Sequence, residues 1–260
     1  MSTPSAPLSR ADALHLTGER TVPGVPEENY WFRRHEAAYH VLLRYCAHAT
    51  VLEAGCGEGY GAGLISGSAH RVIALDYDEP TTGHVARRYP AVRVLRANLA
   101  SLPITSGSID VVANFQVIEH LRDQEGFLAE CHRVLRPGGR LLVTTPNRLT
   151  FTPGSTVPLN PFHTRELAPS EMDQLLRGAG FDIEVLHGLH HGSAVRALDQ
   201  RYGGSIISAQ LDVVMGHLPG HARWPPELLA DIDGIDASDF DVHGEDIDES
   251  LDLVAVAVRP

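Results

Sequence analysis

The chain has 260 residues, is 43% hydrophobic and carries a formal net charge of −12. That length suits one large α/β domain, or a domain with a sizeable insertion, around an ordinary soluble core. No stretch approaches the roughly 18 consecutive apolar residues of a membrane span, no apolar leader is visible, and the basic footprint of a nucleic-acid binder is missing. The charge is uneven: Glu227 to Asp252 holds eleven Asp/Glu and no Lys or Arg, and elsewhere 22 acids face 21 bases. That segment reads as a solvated acidic face. Cys46, Cys56 and Cys131 offer neither a disulfide framework nor a zinc spacing, which fits a reduced, cytoplasmic protein.

Taken in chain order, residues 1–20 read as a mobile tail or lid, and Glu28–Ala47 carries helical periodicity through Trp31, Phe32, Tyr39, Leu42 and Leu43. Residues 1–49 thus form an N-terminal unit. Strands are predicted at Thr50–Ala54, Arg71–Asp76, Val92–Ala97, Ile109–Asn114 and Arg140–Thr145, with helices at Tyr60–Ser66, Pro80–Tyr89 and Gln124–Leu135 between them. Arg136-Pro137-Gly138-Gly139 stops the last of these helices. A helix over Pro169–Gly178, a sixth strand over Phe181–Leu189 and a seventh over Leu251–Val258 follow. Residues 190–248 read as an irregular insertion, an acceptor-side cap on a core spanning 50–189 and closed by 249–260. Alternating βα units imply a mostly parallel sheet with helices on both faces.

Ligands of such sheets bind at the carboxyl ends of the strands. The first strand runs into VLEAGCGEGYG, where Glu53 precedes Gly55, Cys56, Gly57 and Gly59. Glycines accept positive φ and close approach of a ligand, and a helix start offers free N–H groups. Gly57, Gly59 and Ala62 also satisfy a degenerate dinucleotide fingerprint, so the loop alone leaves two cofactor classes open. The second strand ends at Asp76, whose carboxylate suits the two hydroxyls of a ribose. The third ends at Asn98-Leu99, one amide and one backbone N–H for an adenine edge; the fourth at Phe115-Gln116, followed by Glu119-His120-Leu121.

In this order VLEAGCGEGYG, LDYD (75–78), ANL (97–99), NFQVIEHL (114–121) and RVLRPGGRLLVTTPN (133–147) resemble the class I S-adenosylmethionine-dependent methyltransferases. The resemblance implies a Rossmann-like, seven-stranded sheet with an antiparallel last strand, S-adenosylmethionine as cofactor and S-adenosylhomocysteine as product. It decides against a nicotinamide dehydrogenase, because the acid two residues before Gly55 and the E-H-L after the fourth strand are methyltransferase features. The cofactor set it implies is Tyr30, Arg34, Glu53, Gly55, Cys56, Gly57, Gly59, Asp76, Tyr77, Asn98, Leu99, Phe115 and Gln116. Arg34, one helical turn after Tyr30, is expected to clamp the methionyl carboxylate. Cys56 reads as a small filler with its backbone N–H toward the cofactor.

A narrower resemblance, carried by TGERTVP…ENYWFRRHEAAY and NPFHTREL (160–167), is to actinobacterial methyltransferases linked to 6-O-methylglucose lipopolysaccharide. It implies O-methylation of a glucose unit in an α-glucan. A sugar hydroxyl is a poor acid and calls for a base, and His is the side chain tuned for that near neutral pH. The candidates are His120 and His163, with Glu119 orienting the base or the acceptor. Phe151, Phe162, Tyr202 and Trp224 are available to stack on a saccharide. No metal ligand set is predicted, and His187, His190 and His191 do not form a diagnostic one. The rival readings are a lipid or other small-molecule hydroxyl as acceptor, and a non-catalytic cofactor-binding scaffold or sensor.

Overall fold

The computed structural model describes residues 21–215 and 224–260. The expected tail over 1–20 lies outside the described residues. Helix α1 (Asn29–Leu42) leads into β1 (Thr50–Ala54), α2 (Tyr60–Ser66), β2 (Arg71–Asp76), α3 (Glu79–Arg88), β3 (Arg93–Arg96) and β4 (Ile109–Phe115). Then come α4 (Gln124–Val134), β5 (Leu135–Pro146), the short α5 (Arg148–Phe151), α6 (Pro169–Gly178) and β6 (Asp182–His191). The chain ends through α7 (Ser193–Arg201), α8 (Ile206–Val214), α9 (Pro226–Asp233), β7 (Phe240–His243) and β8 (Asp252–Val258).

The sheet has eight strands in the order β3-β2-β1-β4-β5-β8-β6-β7. Strands β1 to β5 are parallel, and β8 enters antiparallel between β5 and β6. The eighth strand corrects the expected seven: β7 pairs antiparallel with β6, from Gly188↔His243 to His191↔Phe240. Phe-Asp-Val-His carries no alternation long enough to announce a strand. Its partner's free edge supplies the hydrogen bonds that make it one. Residues 190–248, expected to be irregular, hold α7, α8, α9 and β7. Val195, Ile206, Leu228 and Ile232 join the same apolar cluster as Val51 and Leu142, so this segment packs into the main core.

Successive residues of a strand face opposite sides. Val51, Ala74, Ala113 and Leu142 belong to one cluster, which includes Ala37, Ala38 and Leu42 of α1 and Ala62 and Ile65 of α2. Leu52, Leu75, Val112 and Leu141 belong to the other, with Phe127, Leu128 and Cys131 of α4 and Met172 and Leu176 of α6. Both faces are buried, which is why these strands read as unbroken apolar runs. The Arg-Pro-Gly-Gly stop is an excursion in β5: partners of β4 step from Ile109↔Leu135 to Val111↔Arg140.

Three polar anchors, two of them buried, hold the outer segments on this sheet. The amide of Asn29 donates to the carbonyls of Ile232, Asp233 and Ile235 at 2.9–3.2 Å, fixing the end of α9 to α1. Arg34 donates Nε and Nη2 to the two carboxylate oxygens of Asp252, both at 2.6 Å, and Nη2 also to the Leu251 carbonyl. Asn147 donates to the carbonyls of Ile247, Asp248 and Ser250, closing the carboxyl end of β5 against the turn before β8. Among the described residues no helix is long and apolar enough to cross a membrane.

Candidate active site

The carboxyl ends of β1, β2, β4 and β5 are neighbours in the sheet, and the glycine loop, Asp76, Gln116, Glu119 and His120 lie at or just beyond them. Gly55, Gly57 and Gly59 all have positive φ (87°, 49° and 93°), backbone that L side chains rarely adopt. Packing adds a second constraint at two of them. A Cβ on Gly55 would meet Val117 at 2.7 Å, and one on Gly59 would meet Val85 at 2.8 Å. At Gly57 a Cβ would meet nothing within 4 Å, so there only the positive φ calls for glycine.

Glu53 is buried and accepts the Tyr39 hydroxyl at 2.8 Å on Oε1, while Oε2 is buried with no partner among the described residues. Burial pushes its pKa up to about 8, against the pull of the Tyr39 hydroxyl and of the Ala62 backbone N–H. A cationic group brought to Oε2 would satisfy that oxygen and favour the ionised form. Asp76 is held by its own loop: Oδ2 accepts Gly57 N and Oδ1 accepts Asp78 N, each at 3.0 Å. An ionised carboxylate has about four acceptor sites, so roughly two remain for a diol. Tyr77 beside it is 65% exposed.

Other candidates are more committed than their sequence suggested. The Cys56 N–H, expected to face the cofactor, donates to the Leu75 carbonyl at 3.0 Å. Its thiol is buried and its pKa pushed up, so it is no nucleophile. Asn98 spends Oδ1 on Ala100 N at 2.9 Å, an Asx turn that leaves the amide N–H₂ for a ligand, and Leu99 is buried behind it. Phe115 is buried against Tyr39, with ring centroids 4.4 Å apart. Gln116 has φ 57°, uncommon for a residue with a side chain, and turns the chain sharply out of β4. Tyr30 is fully buried, with its hydroxyl 2.7 Å from Nε2 of His191, whose Nδ1 lies 2.7 Å from Asp199. Arg34 is bound to Asp252 as described, with Nη1 buried and unpartnered. The structure therefore places Tyr30 and Arg34 in a polar network with β6 and β8.

Glu119, His120 and His163 come together: one ligating atom from each lies within 4.8 Å of the others. Glu119 and His120 sit in a single 3-10 turn after β4, and His163 arrives on the loop after α5. The rings of His120 and His163 stand edge to face, 4.8 Å apart. Loop and turn are joined by backbone bonds from Thr164 N (2.7 Å) and Arg165 N (3.2 Å) to the Glu119 carbonyl. Glu119 is buried and accepts the Thr145 hydroxyl at 2.9 Å; burial raises its pKa to about 7, against the opposing pull of His163. His120 Nδ1 is 3.0 Å from the Phe162 carbonyl, which can only accept, so Nδ1 carries the proton and Nε2 the lone pair. Burial, with His163 adding to it, pushes the pKa of His120 down to about 4, so the ring is neutral at pH 7.

Three partners here were missed from the sequence. Glu166 Oε1 receives Nδ1 of His163 at 2.7 Å, and Asn160 Nδ2 lies 3.1 Å from its Nε2. Thr145 supports Glu119. Glu166 stands three residues after His163 in the NPFHTREL segment, so that spacing was the available signal. Of the aromatic candidates, Phe151 packs on His163 at 5.5 Å, and Phe162 is 43% exposed beside His120. Tyr202 is tied to Asp231 at 2.6 Å, and Trp224 packs on the core, so neither is a free platform.

The family described as "Methyltransferase domain" matches residues 52–143. Over 251 residues the chain is 58% identical to a "Probable S-adenosylmethionine-dependent methyltransferase" of Mycolicibacterium smegmatis, covering 95% of this chain and 96% of that one. A protein of the same description from Mycobacterium tuberculosis is 55% identical over 261 residues, 99% of this chain and 94% of the relative. The fold also matches that of the Burkholderia thailandensis 1,6-didemethyltoxoflavin-N1-methyltransferase (TM-score 0.53, 20% identity, 87% and 78% of the two chains).

Proposed function

The chain belongs to the S-adenosylmethionine-dependent methyltransferases, and from that premise we propose that it methylates a hydroxyl oxygen of a saccharide, the 6-hydroxyl of a glucose unit in an α-glucan. When bound, the cofactor supplies a sulfonium methyl group, which the acceptor oxygen takes as its own proton is lost. The residues at the sheet edge suit the two ends of such a molecule. Glu53 Oε2, buried and unpartnered, would accept the methionyl ammonium, and the spare lone pairs of Asp76 would accept the ribose hydroxyls. Gly55, Gly57 and Gly59 keep the loop clear of side chains, Cys56 and Phe115 back it, and Gln116 closes the methionine end. Tyr77, Asn98 and Leu99 would frame the adenine. Tyr30 and Arg34 would act from behind, by holding α1 against β6 and β8.

The observation that carries the acceptor assignment is the meeting of Glu119, His120 and His163 just after β4, the strand paired with β1, with a lone pair on His120 that no described residue takes up. We assign this cluster to activating the hydroxyl. Phe151 and Phe162 on its rim offer ring faces to a sugar. Positioning and water exclusion supply the rest, since the leaving group is already good. Segment 190–248 would cap the acceptor side. A lipid or other small-molecule hydroxyl is the second reading, favoured by the exposed Val157 and Leu159 in the same loop.

The test is methyl transfer from isotope-labelled S-adenosylmethionine to short α-1,4-glucans, read by mass spectrometry, with a quinol and a hydroxy-fatty acid in parallel. Label on a glucose 6-hydroxyl supports the proposal. Label confined to an apolar acceptor selects the second reading. Cofactor binding with no transfer to any acceptor supports a scaffold or sensor.

A further inference from the structure

We propose that Glu119, His120 and His163 form a binding site for one divalent transition-metal ion of the Zn²⁺, Fe²⁺ or Mn²⁺ class. The inference rests on the reading of this cluster as the hydroxyl-activating site, and it states the means of activation.

The two imidazoles are oriented as ligands. A metal-ligating histidine nearly always donates its other ring N–H to a carboxylate or a backbone carbonyl, which fixes the tautomer and the ring plane. Both rings have that support. His163 Nδ1 lies 2.7 Å from Glu166, and His120 Nδ1 lies 3.0 Å from the Phe162 carbonyl. Both Nε2 atoms therefore carry lone pairs. That of His120 has no hydrogen-bond partner among the described residues, and that of His163 receives only the Asn160 amide at 3.1 Å. An ion would replace that one hydrogen bond.

The charge around the cluster favours a cation. Glu119 and Glu166 are both buried, at 1% and 3% exposure, and Glu166 Oε2 has no partner. Among the described residues no Lys or Arg side chain pairs with either; Arg148 and Arg165 nearby are paired with Glu171 and Glu125. The basic group that faces them is His163, 2.7 Å from Glu166 Oε1. With its Nε2 lone pair given to a metal it carries no charge, buried carboxylates without a cation are costly, and a divalent ion would supply the positive charge.

Donor type and distance suit the same ion. Two imidazoles and one carboxylate are the facial set that suits these metals and leaves coordination positions open. One potential ligand atom of each residue lies within 4.8 Å of the others. Ligands about 2.0–2.2 Å from one ion stand roughly 3–3.5 Å apart, so closure takes side-chain shifts of about 1 Å. The acceptor hydroxyl would take an open position, become more acidic and pass its proton to water. The oxygen would then form the new C–O bond as the methyl–sulfur bond breaks.

The test is Mn²⁺ titration of the chelator-treated, tag-free full chain, with free Mn²⁺ read by electron paramagnetic resonance and Zn²⁺ added as a competitor. One displaceable ion per chain is expected. Glu119→Gln, His120→Ala and His163→Ala should each weaken it at least tenfold. Glu166→Gln, a positioning change, should weaken it about 10–100-fold, and His243→Ala should leave it unchanged. S-adenosylhomocysteine affinity in the same samples reports that each variant is folded. No bound ion in the wild type, or equal affinity in folded variants, overturns the site. Glucan methylation that survives complete metal removal overturns the inference and leaves the proposed function standing. A bound ion without transfer to glucans leaves the site standing and removes that acceptor.

Discussion

Breaking the Arg34–Asp252 pair tests whether α1 is held to the sheet by a buried ion pair. Arg34 is 2% exposed and Asp252 1%. Their two hydrogen bonds of 2.6 Å form a parallel fork, and Trp31 lies 5.5 Å from the guanidinium carbon. Asp252→Ala would strand a guanidinium that cannot deprotonate, at a cost of about 3–5 kcal/mol for removing one partner of a buried pair. For a chain of this size that is a fall in Tm of roughly 6–20 °C. Replacing both partners by apolar groups, Arg34→Met with Asp252→Leu, removes the desolvation penalty together with the attraction, so most of the loss should return. Equilibrium urea unfolding followed by tryptophan fluorescence reads both variants. Calorimetric titration of S-adenosylhomocysteine gives the second readout. If the pair is structural, the double variant keeps cofactor affinity within a few-fold of wild type. An undiminished stability in Asp252→Ala, or a double variant that is stable but no longer binds cofactor, would refute the reasoning and return Arg34 to the methionyl carboxylate.

Asp76→Ala should weaken cofactor binding by roughly 1–3 kcal/mol while the chain stays folded, as calorimetric titration and circular dichroism would show. Gly61→Ala drives a Cβ into the Tyr39 hydroxyl and Glu53 Oε1, an overpacking worth about 1–3 kcal/mol in urea unfolding; an unchanged midpoint would mean that α2 can shift away. The raised pKa of Glu53 means that the folded state binds a proton the unfolded chain has released. Its stabilisation is complete below about pH 4.5 and is lost as pH rises through about 8. Glu53→Gln should therefore gain stability relative to wild type as pH rises from 5 to 8.5, and a constant difference would contradict the burial argument. His120→Ala should lower turnover about 10²–10⁴-fold with cofactor affinity nearly intact, and retained turnover would move activation to His163 or Glu119.

Signals carried by neighbours in sequence were legible. The bounds of β1, β2, α2 and α6 follow from apolar runs ended by Gly, Pro or Asp, because those residues act on their own backbone. Glu53, Asp76 and the glycine loop were legible for the same reason, since a strand end and a tight turn are local events. So was the pairing of Glu119 with His120, which share one turn. With fifteen histidines in the chain, nothing in the order of residues shows that His163 stands 4.8 Å from His120. That contact depends on the backbone bonds that dock the Thr164–Arg165 segment on the Glu119 carbonyl. Arg34 finds Asp252 across 218 residues, and charge at a helical spacing cannot tell a solvent-facing arginine from a buried one. Strand β7 exists because β6 offers it an open edge. What a residue does to its own φ and ψ is written in the sequence; which carboxylate meets which cation is decided only when the sheet has formed and its faces have been covered.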